Sequence, residues 1–243
     1  FTPEDAPVKG AEIKRYLQDR GLEFEITVSK LKDDDWAHKW KEFFKPEKVT
    51  GRIVIKPTWE PYHAQGNEIV IAIDPGMAFG TGTHATTRAC LQLIEEVVGK
   101  GDISSMFDVG TGSGILSIAA ARLGVSKTIA MDIDETARKV AEDNVSLNKV
   151  GNSVRIIDTP LDKISIEFEL VVANIIAEEL VRLSPVLKER VTAGGYLVLS
   201  GIISEKADMV KESFKSLALE KEVREGEWVS LLFKKQKRLS SVT

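Results

Sequence analysis

The chain has 243 residues, of which 43% are apolar and 29% charged, with a formal net charge of −4. That suits one large domain, or an ordinary domain with a small appendage. It argues against a whole-surface nucleic-acid binder. The lone Cys90 excludes an internal disulfide and a multi-cysteine zinc site. No stretch approaches the ~20 apolar residues of a membrane span, so a soluble, cytoplasmic protein without membrane contact is expected.

Residues 1–45 read differently from the rest of the chain. Val8, Ile13 and Leu17 recur at helical spacing before Gly21. Leu22, Phe24, Ile26 and Val28 alternate as in a half-buried strand. Asp33 to Asp35 can cap a helix carrying Trp36, Trp40, Phe43 and Phe44, which Pro46 stops. One helix, one strand and one helix are too little for an independent domain. Residues 46–68 hold Pro46, Gly51, Pro57, Pro61 and Gly66 and read as a linker, with a strand at 52–56.

A regular alternation follows over 69–243. Strands are predicted near 69–73, 104–109, 127–132, 153–157, 168–173, 196–200, 219–224 and 227–233. Helices are predicted near 84–98, 114–123, 135–148, 177–190 and 204–217. Alternating strands and helices make a mainly parallel, doubly wound α/β sheet of Rossmann-like class. Only Glu225-Gly226 separates the last two strands, so they form a C-terminal antiparallel hairpin.

The strand Ser105–Val109 feeds Gly110-Thr111-Gly112-Ser113-Gly114, and a helical run begins at Ile115. A strand, a glycine loop and a helix start form a nucleotide-cofactor site, because glycines let backbone approach the ligand. The dinucleotide pattern G-x-G-x-x-G is not met, since Ile115 stands at the third glycine's place. Asp108 sits within the strand end, where it would attract an ammonium and repel a pyrophosphate. Asp132 ends the next strand, 22 residues beyond Gly110, and is placed to accept from both ribose hydroxyls. Asp134 reads as the N-cap of the following helix. These features point to S-adenosylmethionine rather than NAD, held by Gly110, Gly112, Asp108 and Asp132. A tight turn without ligand is the plain alternative.

The stretch Asp74-Pro75-Gly76-Met77-Ala78-Phe79-Gly80-Thr81-Gly82-Thr83-His84-Ala85-Thr86-Thr87-Arg88 resembles the signature of the ribosomal protein L11 methyltransferase (PrmA) family. Asp108–Gly114, Met131–Asp134 and Val172–Ala177 resemble that family too. The resemblance runs from about Trp36 to Trp228. It implies that Thr87, Gly110, Asp132 and Asn174 bind S-adenosylmethionine and that Phe79 lies in a loop covering it. It also implies a small ferredoxin-like α+β domain for substrate recognition, joined by a linker to the methyltransferase domain. Residues 1–45 are expected to supply only the later part of that domain. The implied activity is methylation of lysine and N-terminal amino groups of a large-subunit ribosomal protein.

Asn174 follows the strand at 168–173, at the carboxyl edge of the sheet. Its side-chain oxygen can accept from an incoming amine, which makes it the candidate catalytic residue. The plainer alternative is that it caps the helix that begins before Glu178. His38, His63 and His84 have no metal-ligand spacing. His84 could serve as a base or stand neutral at a helix start. A monomer is expected, with the ribosomal protein as partner and no direct nucleic-acid contact. The rival functions are an NAD-dependent oxidoreductase, a small-molecule methyltransferase and a non-catalytic ribosome-binding module.

Overall fold

The computed structural model describes residues 6–20, 44–74, 80, 82–101 and 103–237. The expected strand at 22–28, the helix bearing Trp36 and Trp40, and Phe79 lie outside the described residues. The chain divides into two compact units, Phe1–Phe44 and Lys45–Thr243. In the first, helix α1 spans Ala6–Gln18. Its Ile13 and Tyr16 are exposed, and the Arg20 guanidinium lies 3.6 Å from the Tyr16 ring centroid.

The second unit opens with a three-stranded sheet of β1 (Glu47–Lys48), β2 (Ile53–Lys56) and β3 (Ile69–Ala72). β1 pairs antiparallel with β2, and β3 pairs parallel with it. The alternation at 69–73 is therefore a strand as predicted, but it belongs to this small sheet and not to the large one. Period-two patterning gives the faces of a strand and not its partner. Ile53, Ile55, Ile71 and Ile73 are buried in the core that serves the large sheet.

The large sheet holds β4 (Ser105–Val109), β5 (Lys127–Met131), β6 (Val154–Ile157), β7 (Phe168–Asn174), β8 (Val191–Ile203), β9 (Ala218–Glu225) and β10 (Trp228–Lys234). Its order is β6-β5-β4-β7-β8-β10-β9. The five strands from β6 to β8 run parallel, and β10 is antiparallel to both β8 and β9. Helix α2 (Ala85–Gly99) leads from the small sheet into β4, and α3 (Ile115–Leu123), α4 (Glu135–Leu147), α5 (Ala177–Arg190) and α6 (Ala207–Ser213) make the crossovers.

Both faces of the central strands are covered, so apolar residues run unbroken over Leu170–Ala173 and Leu197–Leu199. Met106, Leu170, Val172 and Val198 face the core shared with α2 and α3. Phe107, Val171, Leu197 and Leu199 face the core shared with α5 and α6, where Phe107 stacks on Phe168 at 5.0 Å. β8 begins directly at the end of α5, ahead of its expected start, because Val191 already pairs with Phe168. The predicted helix at 204–217 resolves into a 3-10 turn at Ser204–Lys206 and the short α6, which ends before the buried Phe214. No helix among the described residues is long and apolar enough to cross a membrane.

Candidate active site

The chain lays down the large sheet from its middle. β4 comes first, β5 and β6 build outward on one side, and β7 then returns to β4's other side. At such a switch point the connections diverge and leave a crevice at the carboxyl ends of the strands. Here it is a cleft of about 1000 Å³. Thr87, Gly110, Gly112, Asp132 and Asn174, which the sequence scatters over 88 positions, all line it. Asp108 lies beneath it, fully buried.

The glycine loop is fixed by its neighbours. The amides of Gly110 and Thr111 both donate to the Met131 carbonyl, at 2.8 and 3.0 Å. Gly110 has φ +76°, and a Cβ there would come within 2.7 Å of Ile175 Cγ2. Only glycine allows both the turn and the closeness of β7's end. The Gly112 amide donates to Asp132 Oδ2 at 2.9 Å, and the Asp134 amide to Oδ1 at 3.0 Å. The Asp132 carboxylate is thereby held by backbone on both oxygens, each of which retains acceptor capacity. Asp134 caps α4 as expected, accepting from the Thr136 amide at 2.9 Å.

Asp108 Oδ2 accepts from the hydroxyls of Thr111 and Ser117, both at 2.7 Å. Its Oδ1 has no partner. Burial pushes the carboxyl up to about 6, despite those two hydrogen bonds, and the Asp132 carboxylate adds to the rise.

At the other wall, Asn174 ends β7. The N-cap of α5 is Ile176, so the capping alternative for Asn174 does not hold. Instead Asn174 Nδ2 donates to Thr86 Oγ1 at 3.3 Å. Thr86 Oγ1 lies 2.8 Å from His84 Nδ1, and the Thr86 amide also donates to that nitrogen. His84 is the N-cap of α2, and its ring meets Trp228 edge-on at 5.0 Å. From below, Ser200 Oγ donates to the Thr86 carbonyl at 3.3 Å and lies 2.6 Å from Ser230 Oγ. Thr87 is buried beside Thr86, and its Oγ1 has no partner. Trp228 and Ser200 escaped the sequence reading. The one available signal for Trp228 was its place directly after the hairpin turn, at the sheet edge that carries the glycine loop.

A sequence profile of the ribosomal protein L11 methyltransferase (PrmA) family matches residues 4–236. The chain belongs to this family. It is 43% identical to the ribosomal protein L11 methyltransferase of Geotalea uraniireducens over 96% of this chain and 84% of that one. Against the Geobacter sulfurreducens protein of the same description it is 46% identical, over 93% and 77%. The crystal structure of the ribosomal protein L11 methylase of Lactobacillus delbrueckii subsp. bulgaricus superimposes with a TM-score of 0.73 at 31% identity. That match covers 79% of this chain and 100% of the other. The N-methyltransferase NodS of Bradyrhizobium japonicum shares the fold alone, with a TM-score of 0.52 at 13% identity over 64% of this chain and 99% of that one.

The PrmA family is S-adenosylmethionine-dependent, and the residues of this cleft fit that cofactor. Two ribose hydroxyls need a fixed acceptor pair, which Asp132 offers. A cationic amino acid moiety needs a nearby anion and polar atoms not already used. Thr87 Oγ1, in the cleft lining and without a partner, is such an atom, and the Asp108 carboxyl lies buried beneath the cleft. A purine needs apolar walls, and Leu116, Leu161 and Ile133 line the same cleft. No group of three or more metal-ligating side chains occurs among the described residues.

Proposed function

We propose that this chain transfers methyl groups from S-adenosylmethionine to amino groups of ribosomal protein L11, a large-subunit protein, on lysine side chains and the N-terminal α-amine. The observation that carries this reading is the family match over residues 4–236, and the Asn174–Thr86 hydrogen bond at the cleft wall supports an amine as the acceptor group. That bond commits the Asn174 Nδ2 to the protein and leaves Oδ1 as the acceptor for an incoming amine. When bound, the cofactor's sulfonium supplies an electrophilic methyl group.

The chain's own residues position and desolvate. Thr87, Gly110, Gly112 and Asp132 hold the cofactor, with Asp108 beneath them as the buried anion. Asn174 Oδ1 accepts one N–H of the amine and aims its lone pair. A lysine amine has an unperturbed pKa of about 10.4, so it must arrive or become neutral. The apolar walls disfavour the ammonium, and a neutral amide stabilises it less than a carboxylate would. Phe79 belongs to the covering loop in this reading. Residues 1–45 form part of the substrate-recognition domain in this reading, and β1 and β2 pack with the methyltransferase domain, whose core takes in Ile53 and Ile55. The protein acts as a cytoplasmic monomer without direct nucleic-acid contact.

Labelled methyl transfer is the test. Purified large-subunit proteins and a small-molecule extract are offered separately with the same labelled cofactor. Label in L11 supports the reading. Label only in the small-molecule extract replaces it with a small-molecule methyltransferase, and no transfer with intact cofactor binding leaves a binding module.

A further inference from the structure

Helix α4 carries two buried asparagines that the reaction does not touch. Asn144 is 6% exposed and Asn148, the residue that ends the helix, 5%. Asparagine is a poor helix former, and a buried amide costs free energy unless its hydrogen bonds are met. Here they are met by two separate pieces of backbone. Asn144 Nδ2 donates to the Ser113 carbonyl, in the glycine loop, at 2.8 Å. Asn148 Nδ2 donates to the Ala72 carbonyl at 2.8 Å, and Asn148 Oδ1 accepts from the Ala72 amide at 2.9 Å. Asn148 Nδ2 also donates to the Asn144 carbonyl at 2.8 Å.

Spacing explains why one helix can do this. Positions 141, 144 and 148 fall at i, i+3 and i+7, on one face. Ala141 fills the same face where Gly114 passes, so closely that a Cβ on Gly114 would lie 3.2 Å from the Ala141 Cβ. A helix cap alone needs only the Asn148 backbone. The two-way clasp of its side chain on Ala72 is extra, and it fastens β3 to α4. Ser113 is the junction: its carbonyl is held by Asn144, and its hydroxyl donates to the Gly80 carbonyl.

We propose that Asn144 and Asn148 are positioning residues for the cofactor site, setting the glycine loop so that the Gly112 amide stays on the Asp132 carboxylate. The inference rests on the proposed S-adenosylmethionine reading for its effect on affinity. Its effect on the loop itself can be read without any ligand. Losing the Asn144 amide strands the Ser113 carbonyl, and the loop shifts to satisfy it.

The test compares Asn144→Leu, which keeps the branched heavy-atom shape and removes the donor, with Val145→Ala, a core deletion on the same helix. Amide hydrogen exchange of the ligand-free proteins is followed over residues 108–116, with melting temperature and with KM and kcat for S-adenosylmethionine. Asn144→Leu is expected to speed exchange in that segment and to raise KM about tenfold with kcat within about threefold. Val145→Ala is expected to lower the melting temperature comparably and to leave both readings near native. Asn148→Ser serves if Asn144→Leu does not fold, and is expected to speed exchange over residues 69–74 first. Equal exchange in the Leu and Ala variants overturns the inference. Should the native protein fail to bind S-adenosylmethionine, the proposed function falls and the exchange contrast alone decides the positioning role.

Discussion

Gly201 lies so close to Ile175 that an added Cβ would sit 2.4 Å from the Ile175 carbonyl oxygen, and its φ is +80°. Strand β8 therefore seats the end of β7, where Asn174 stands one residue earlier in register with Ser200. Gly201→Ala combines a left-handed backbone with a backbone clash. It should cost about 2–4 kcal/mol of stability and lower methyl transfer as Asn174 is displaced. Denaturant midpoints check the first effect; an unchanged midpoint would show that β8 yields freely and that the close approach carries no constraint.

Asn174→Ala should lower the methylation rate by ~10- to 1,000-fold through lost positioning. Because Ile176 is the cap of α5, the melting temperature should move little. Single-turnover transfer and thermal unfolding on the same variant decide it. A near-native rate would remove Asn174 from the reaction.

Asp132→Ala removes the acceptor pair and also frees the Gly112 amide. S-adenosylmethionine affinity should fall by about 1.5–3 kcal/mol, the worth of charge-assisted hydrogen bonds. The fold should persist, since Asp132 lies at the cleft rim. Calorimetry giving native affinity would defeat the ribose assignment.

Asp108 makes stability depend on pH. Its carboxyl stands at about 6 in the folded protein against an ordinary 3.8. Between those values the unfolded chain has released the proton and the folded chain keeps it. The group's contribution is thus complete below pH ~4 and is lost as pH rises through ~6, an effect on the order of 2–3 kcal/mol. Asp108→Asn should flatten the stability curve across that window and weaken cofactor binding at pH 7.5. Ligand-free unfolding midpoints at pH 4.5 and 7.5 are the measurement. Parallel curves for native and variant would mean the buried carboxyl does not titrate there.

The sequence carried those parts of the site that are local in the chain. Gly110, Gly112 and Asp132 were legible because a strand, a loop and the next strand's end lie within one βαβ unit. Asp134 was legible as a cap for the same reason. Asn174 was ambiguous, since a cap role depends on where α5 begins, and the cap proves to be Ile176, two residues later. β3 was read as a strand of the large sheet, because Ile69, Ile71 and Ile73 would look the same in either sheet. Ser200 could not be read, and Trp228 only by its place after the hairpin turn. Their roles come from contact with α2, more than a hundred residues earlier, and no local pattern encodes that.

The bonds that assemble the cleft close very long loops: Asn174 reaches back 88 residues to Thr86, and Ser200 reaches back 114. A partly folded chain that has formed only the β4–β6 half would own the glycine loop and Asp132 but not the opposite wall. Cofactor should therefore recognise the finished molecule far better than any intermediate, and recognition of this kind is linked to global unfolding. At a hundred times the dissociation constant, ligand adds about 2.7 kcal/mol to the native state. Bound cofactor would therefore lower the population of the globally unfolded chain about a hundredfold, and with it the exposure of these long-range bonds to proteolysis.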